Sequence, residues 1–234
     1  MLLDSGYLLL VAALVQALPW TLVLVLLPLL ALPRARNDAP VVRWRAAVYF
    51  IGLGLAFLLI EIACLSRLSL LVGHPLLAIA AGLAGFLLFA GAGSMYAQRW
   101  LARDGRPIAT LARHAVLAIA VALAWHLLAF VLAWRIGAAW SPLARMGLGL
   151  LTIAPLAFAM GMPFPLGLTR LARTAPAFVP WAWGLNGCAS VIAALAALLL
   201  AIEVGLSATL LVALLLYVVA AWSWRDDGNA QPPG

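Results

Sequence analysis

Long apolar runs alternate with short polar connectors along the whole chain. Seven runs stand out: 7–32, 46–65 with an extension towards Leu71, 75–97, 111–134, 143–168, 181–201 and 206–222. Each is long enough to cross about 30 Å of hydrocarbon as an α-helix. The pattern predicts an all-α fold, a polytopic transmembrane helix bundle of about seven spans, in one membrane domain over 1–224. The first run is too long for a signal-peptide core, lacks a basic start and has no small-residue cleavage site, so it reads as a true span. The tail 225–234 is polar, rich in Gly, Pro and Asp, and is expected to be disordered.

Composition agrees with the pattern. Hydrophobic residues make up 67% of the chain and charged residues 9%. A soluble domain needs far more charge to cover its surface. The longest polar stretch, 100–113, is too short for a separate soluble domain.

The net charge of +7 could suggest a nucleic-acid partner, but the placement of the charges speaks for topology instead. Arg34, Arg36, Arg43 and Arg45 follow the first run. Arg99, Arg103, Arg106 and Arg113 follow the third, Arg170 and Arg173 the fifth, and Arg225 the last. The opposite connectors hold only Arg67, Arg135 and Arg145. By the positive-inside rule the amino terminus lies outside and the carboxyl terminus in the cytoplasm of a multi-pass inner-membrane protein. Tryptophans fall where an indole is half wet: Trp44, Trp100, Trp181, Trp183, Trp222 and Trp224 at cytoplasmic ends, Trp134 and Trp140 at the outer interface. The implied partner is the lipid bilayer, with no nucleic acid.

Small residues recur where helices would meet. Ala189, Ala193, Ala197 and Ala201 repeat every four residues, beside a stripe of Asn186, Ser190 and Ala194, and Gly82, Gly85, Gly91 and Gly93 thin the third span. Small residues let backbones approach where lipid supplies no hydrophobic drive. The stripes read as bundle seams or as the lining of a narrow cavity.

Polar residues gather at two depths. Glu61 and Glu203 are the carboxylates in or against apolar spans, and an ionised side chain at mid-bilayer costs about 2.5–3.5 kcal/mol on insertion scales. With Arg67 and His74 they converge towards the outer leaflet. Glu61 and Arg67 are about 120° apart on a continuous helix, so a break near 68–74, where Gly73 and Pro75 end helices, would be needed to join them. Either these groups form a polar site for a cation, a proton or a headgroup, or Glu61 is neutral or hydrogen-bonded and Arg67 snorkels outwards. The second layer lies near the cytoplasm. "GMPFPLGL" (161–168) puts Pro163 and Pro165 behind Gly161 in the last turns of the fifth span, where each proline removes a donor and forces a kink or unwinding. Freed carbonyls in a membrane must find protein or water, and Asn186 in "PWAWGLNG" (180–187) is a candidate partner for them. Such breaks serve transport sites or are plain bends.

No soluble catalytic constellation, nucleotide loop or metal-ligand spacing appears, and no cofactor is implied. "GAGS" (91–94) sits in an apolar span rather than after a strand. His126 is mid-span and reads as a hydrogen-bonded packing residue, and Cys64 and Cys188 as small packing residues.

Three strings carry a resemblance: "YFIGLGLAFLLIEIACLSRLSLLVGHPLLAIAAGLAGFLLFAGAGS" (49–94), "GMPFPLGL" and "PWAWGLNGCASVIAALAA" (180–197). In this order they are similar to the membrane portion of the membrane-bound spermidine synthase-like proteins of bacteria, several of which join transmembrane helices to an aminopropyltransferase-like Rossmann domain. The resemblance covers most of the chain, from the first span to the seventh, but that catalytic domain is missing. With seven acidic residues in all, no catalytic residue carries over. The resemblance implies a non-catalytic membrane module that anchors or feeds a separately encoded aminopropyltransferase- or methyltransferase-like partner. A stand-alone transporter or permease for a small polar or cationic solute, built on Glu61, Arg67, His74 and Glu203, and a purely structural protein are the alternatives, and a small cationic or amphipathic ligand is the candidate small-molecule partner. A polyamine would want carboxylates and aromatic faces; two embedded carboxylates are a thin supply, and Arg67 would repel it.

Overall fold

A computed structural model of the chain describes residues 2–30, 40–103, 105 and 107–223. The end of the first run at Ala31 and Leu32, Arg34, Arg36, Arg106, Trp224, Arg225 and the expected tail 225–234 lie outside the described residues. The described residues form helices α1 (Leu2–Leu30), α2 (Pro40–Val72), α3 (Pro75–Arg103), α4 (Ile108–Ile136), α5 (Pro142–Met160), α6 (Pro163–Thr174), α7 (Val179–Glu203) and α8 (Leu206–Ser223), with short 3-10 turns at Gly137–Ala139 and Pro176–Phe178. Among the described residues six helical stretches are long and apolar enough to cross a bilayer: Arg43–Val72, Pro75–Arg103, Ile108–Ile136, Pro142–Thr174, Pro176–Glu203 and Leu206–Ser223. Gly6–Thr21, within α1, is a shorter apolar helix. The exterior carries large apolar side chains such as Leu76, Leu128, Leu143 and Leu151, as a multi-pass membrane protein requires.

α2 is the central helix. It packs most extensively on α7 and α8 and also touches α3, α5 and α6. Its glycines explain how. A Cβ on Gly54 would run into the Asn186 carbonyl of α7, and one on Gly52 would press on Ala220 of α8 at 3.1 Å. The alanine stripe of α7 supplies the other half of that seam, with Ala189, Ala193 and Ala197 buried. α1 lies against α7 on the outside, where the Cys188 thiol donates to the Thr21 carbonyl at 3.5 Å.

The pairings fix the directions of the helices. Asn186 reaches Phe50 and Ser190 approaches Gly54, so α7 runs parallel to α2. Arg67 reaches Ser207 and Gly52 meets Ala220, so α8 runs antiparallel. α3 is also antiparallel, with Gly82 against Leu65 and Leu68, and Phe86 against Phe57 at 6.3 Å between ring centroids.

Two boundaries fix where the expected interruptions fall. The second span takes its extension past Leu65 and Leu71: α2 runs unbroken to Val72, so the chain breaks at the Gly73 end of the expected 68–74 stretch. Nothing in 66–72 interrupts the backbone ladder, and Ser66 and Ser69 spend their hydroxyls on the carbonyls one turn back, Ile62 and Leu65. The chain turns only at Gly73, whose φ of 78° is a left-handed conformation open to glycine, and Pro75 starts α3. The fifth span is two helices, interrupted at Gly161 and Met162. Pro163 and Pro165 have no N–H to give to the carbonyls of Ala159 and Gly161. The Ala159 carbonyl takes a tighter bond from Met162 N instead, at 3.2 Å.

Candidate functional site

The interruption between α5 and α6 is pressed onto α3. A Cβ on Gly161 would collide with the Ala90 carbonyl, and one on Gly93 with the Phe158 carbonyl. Two glycines thus let backbone meet backbone where the helix changes direction. On the other side the Tyr49 hydroxyl of α2 donates to the Pro163 carbonyl at 2.7 Å. Asn186, expected to serve these freed carbonyls, does not. Its Nδ2 donates to the Phe50 carbonyl of α2 at 3.0 Å, because the small seam between α2 and α7 brings that helix closest.

A cleft of about 470 Å³ opens beside the interruption. Met160, Gly161 and Phe164 form one wall, Leu53 and Phe57 of α2 the floor, Trp183, Asn186 and Ser190 of α7 the opposite wall, and Tyr217 of α8 and Leu87 of α3 the ends. Its aromatic side is a linked series. Phe164 meets Trp183 edge-on at 4.8 Å and Phe50 at 5.5 Å, and Phe50 meets Tyr49 at 5.2 Å. Such contacts hold rings in fixed orientations. α3 and α7 make no substantial contact, and the residues at that gap, Leu87 and Trp183, are 76% and 58% exposed. The cleft therefore opens sideways, towards lipid.

Glu61, Arg67, His74 and Glu203 do not form one site. Arg67 is buried, its Nη2 donates to Ser207 Oγ at 2.7 Å, and its guanidinium lies 5.1 Å from the centre of the Phe130 ring. It turns into the bundle rather than snorkelling to headgroups. Glu61 stays on the same continuous helix, away from Arg67. It is seven residues from Gly54, so it lies on nearly the same face and about 10 Å further along α2, half-buried. Glu203 is exposed and lies beside the Tyr7 hydroxyl of α1. His74 is exposed in the turn that Gly73 makes. The structure brings Arg67 and Glu203 to the same end of the bundle and joins them to different helices.

Inside that end runs a polar chain with members beyond the sequence candidates. His126 lies 3.6 Å from Cys64 Sγ through Nε2 and 3.3 Å from the Thr152 carbonyl through Nδ1. Thr152 is tied to the Gly149 carbonyl at 2.8 Å. These fully buried contacts give His126 the packing role its mid-span position suggested. Arg145 donates to the Leu71 carbonyl at 3.3 Å and to the Trp140 carbonyl at 3.2 Å, closing the end of α2 with a cation where its carbonyls lack partners.

The cleft residues that sequence reasoning missed are Phe57, Phe164, Trp183 and Tyr217. Only Tyr217 carried a signal, as a lone hydroxyl in the middle of an apolar span. The chain matches no protein-family model, no curated protein and no solved structure.

Proposed function

We propose that this chain is a non-catalytic membrane module that holds a small amphipathic ligand in its cytoplasmic half and presents it to a separately encoded transferase-like partner. The observation that carries the reading is the cleft at the interrupted fifth span, walled by fixed aromatic rings and open to lipid. Ligand sites of a few hundred Å³ with few polar groups are the usual form of small-molecule pockets. Its lining offers rings, an amide and two hydroxyls, a set suited to binding rather than to bond-making.

The topology belongs to the same proposal. α1 is 29 residues long, about 43 Å as a helix, which supports a seventh crossing with the amino terminus outside. The arginine-rich connectors then face the cytoplasm of a bacterial inner membrane, where they suit anionic headgroups or an acidic partner surface. The similarity of the three strings to the membrane half of spermidine synthase-like proteins supports a partner of aminopropyltransferase or methyltransferase type.

A cation transporter centred on Glu61, Arg67, His74 and Glu203 has less support, since Arg67 and Glu203 engage different helices. Affinity purification from native membranes in mild detergent tests the proposal. A soluble Rossmann-type transferase should co-purify in near-stoichiometric amount. Solute flux in proteoliposomes of the purified chain alone, abolished by Glu61→Gln, would replace this reading with the transporter.

A further inference from the structure

The polar atoms left over in the cleft have a common character. Asn186 gives one N–H of Nδ2 to the Phe50 carbonyl, and its Oδ1 is left as an acceptor. Ser190 spends its proton on the Asn186 carbonyl at 2.9 Å and keeps its lone pairs. The Gly161 carbonyl faces Pro165 one turn on, which has no N–H to give it. Tyr217 is 1% exposed and lines the cleft; the Tyr49 phenol is its polar neighbour, and Tyr49 gives its own proton to Pro163, so the Tyr217 hydroxyl makes no hydrogen bond among the described residues. A buried hydroxyl without a partner is uncommon and points to a group that belongs there.

We infer that the cleft binds an uncharged amphiphile with a hydroxyl head, a long-chain or aryl alcohol drawn from the bilayer. The head donates to the acceptors of Asn186, Ser190 or Gly161 and accepts from Tyr217, and the apolar body leaves between Leu87 and Trp183 into lipid. An ion is disfavoured. The lining carries no carboxylate for a cation and no arginine for an anion, and an unpaired charge in a dry site is expensive. The inference rests on the ligand-holding part of the proposed function and names the ligand's class.

The test uses the full-length chain in lipid nanodiscs and a photoreactive, clickable long-chain alcohol. Matching probes carry a methyl, an amine or a carboxylate in place of the hydroxyl. The alcohol should crosslink saturably to peptides of α3 and α7 around Leu87 and Trp183, and unlabelled alcohol should compete. Tyr217→Phe should raise the half-saturating concentration about five- to tenfold, as loss of one buried hydrogen bond predicts, with the melting curve near wild type. Ser190→Ala should give a smaller increase and supplies the reading if Tyr217→Phe does not fold. Equal labelling by the methyl probe, stronger labelling by the amine or carboxylate, or unchanged saturation in both variants would overturn the inference. Saturable alcohol labelling with no co-purifying transferase would leave the ligand class standing and remove only the partner. A co-purifying transferase with no hydroxyl preference would do the reverse.

Discussion

Arg67 lies inside the bundle and has no carboxylate partner among the described residues. Its charge is met by the Ser207 hydroxyl and the face of Phe130. A charged hydrogen bond contributes about 1.5–3 kcal/mol in water-soluble proteins, whereas polar contacts between membrane helices average about 0.6 and reach about 1.7 kcal/mol. Arg67→Ala should therefore lower unfolding stability by about 1–3 kcal/mol in detergent titrations. A double-mutant cycle with Ser207→Ala should return a coupling of about 0.5–1.5 kcal/mol. Additive effects would mean the contact holds nothing. The sequence identified Arg67 because a charge among apolar residues is conspicuous. Its partner was hidden, because a serine near a span end is unremarkable until α8 is laid antiparallel to α2. Tyr217 stood out only as a lone hydroxyl in an apolar run, and its place in the cleft comes from neighbours on other helices.

The interrupted fifth span was the most legible element. Two prolines two residues apart remove two donors within one turn, whatever the surroundings. How the break is stabilised was not legible, because it depends on α2 and α3. Tyr49 serves the Pro163 carbonyl, and Gly93 and Gly161 admit the α3 backbone. Tyr49→Phe should cost about 1–3 kcal/mol, the usual penalty for stranding a buried acceptor. Gly161→Ala should cost at least as much, since its Cβ meets backbone that cannot rotate away, and should close or deform the cleft. Thermal unfolding of both variants in one detergent checks the pair. A wild-type melting curve for Gly161→Ala would mean that α3 and the α5–α6 junction do not touch as described. The break expected over 68–74 falls at Gly73 and no earlier, because serines at 66 and 69 fold back onto their own helix and leave its ladder intact, so Glu61 and Arg67 stay on one continuous helix.

At the scale of the whole molecule, apolar runs read as helices give most of the architecture. They say little about which spans touch. Helix contacts are decided by glycine and alanine faces such as Gly54 against Asn186 and Ala189, and every span offers several such faces. The cleft belongs to this scale, since it needs side chains from α2, α3, α5, α6, α7 and α8 together. Its proposed use by a soluble partner requires that the cytoplasm lie at the α6–α7 end. Membrane-impermeant maleimide labelling of single cysteines on intact cells tests this most directly, with Cys64 and Cys188 both buried and replaced in the background. Cysteines at His74 and Trp140 should label from outside. Those at Gly105 and Ala177 should label only after the inner face is exposed. The reverse pattern would turn the interrupted span towards the exterior and contradict a cytoplasmic partner.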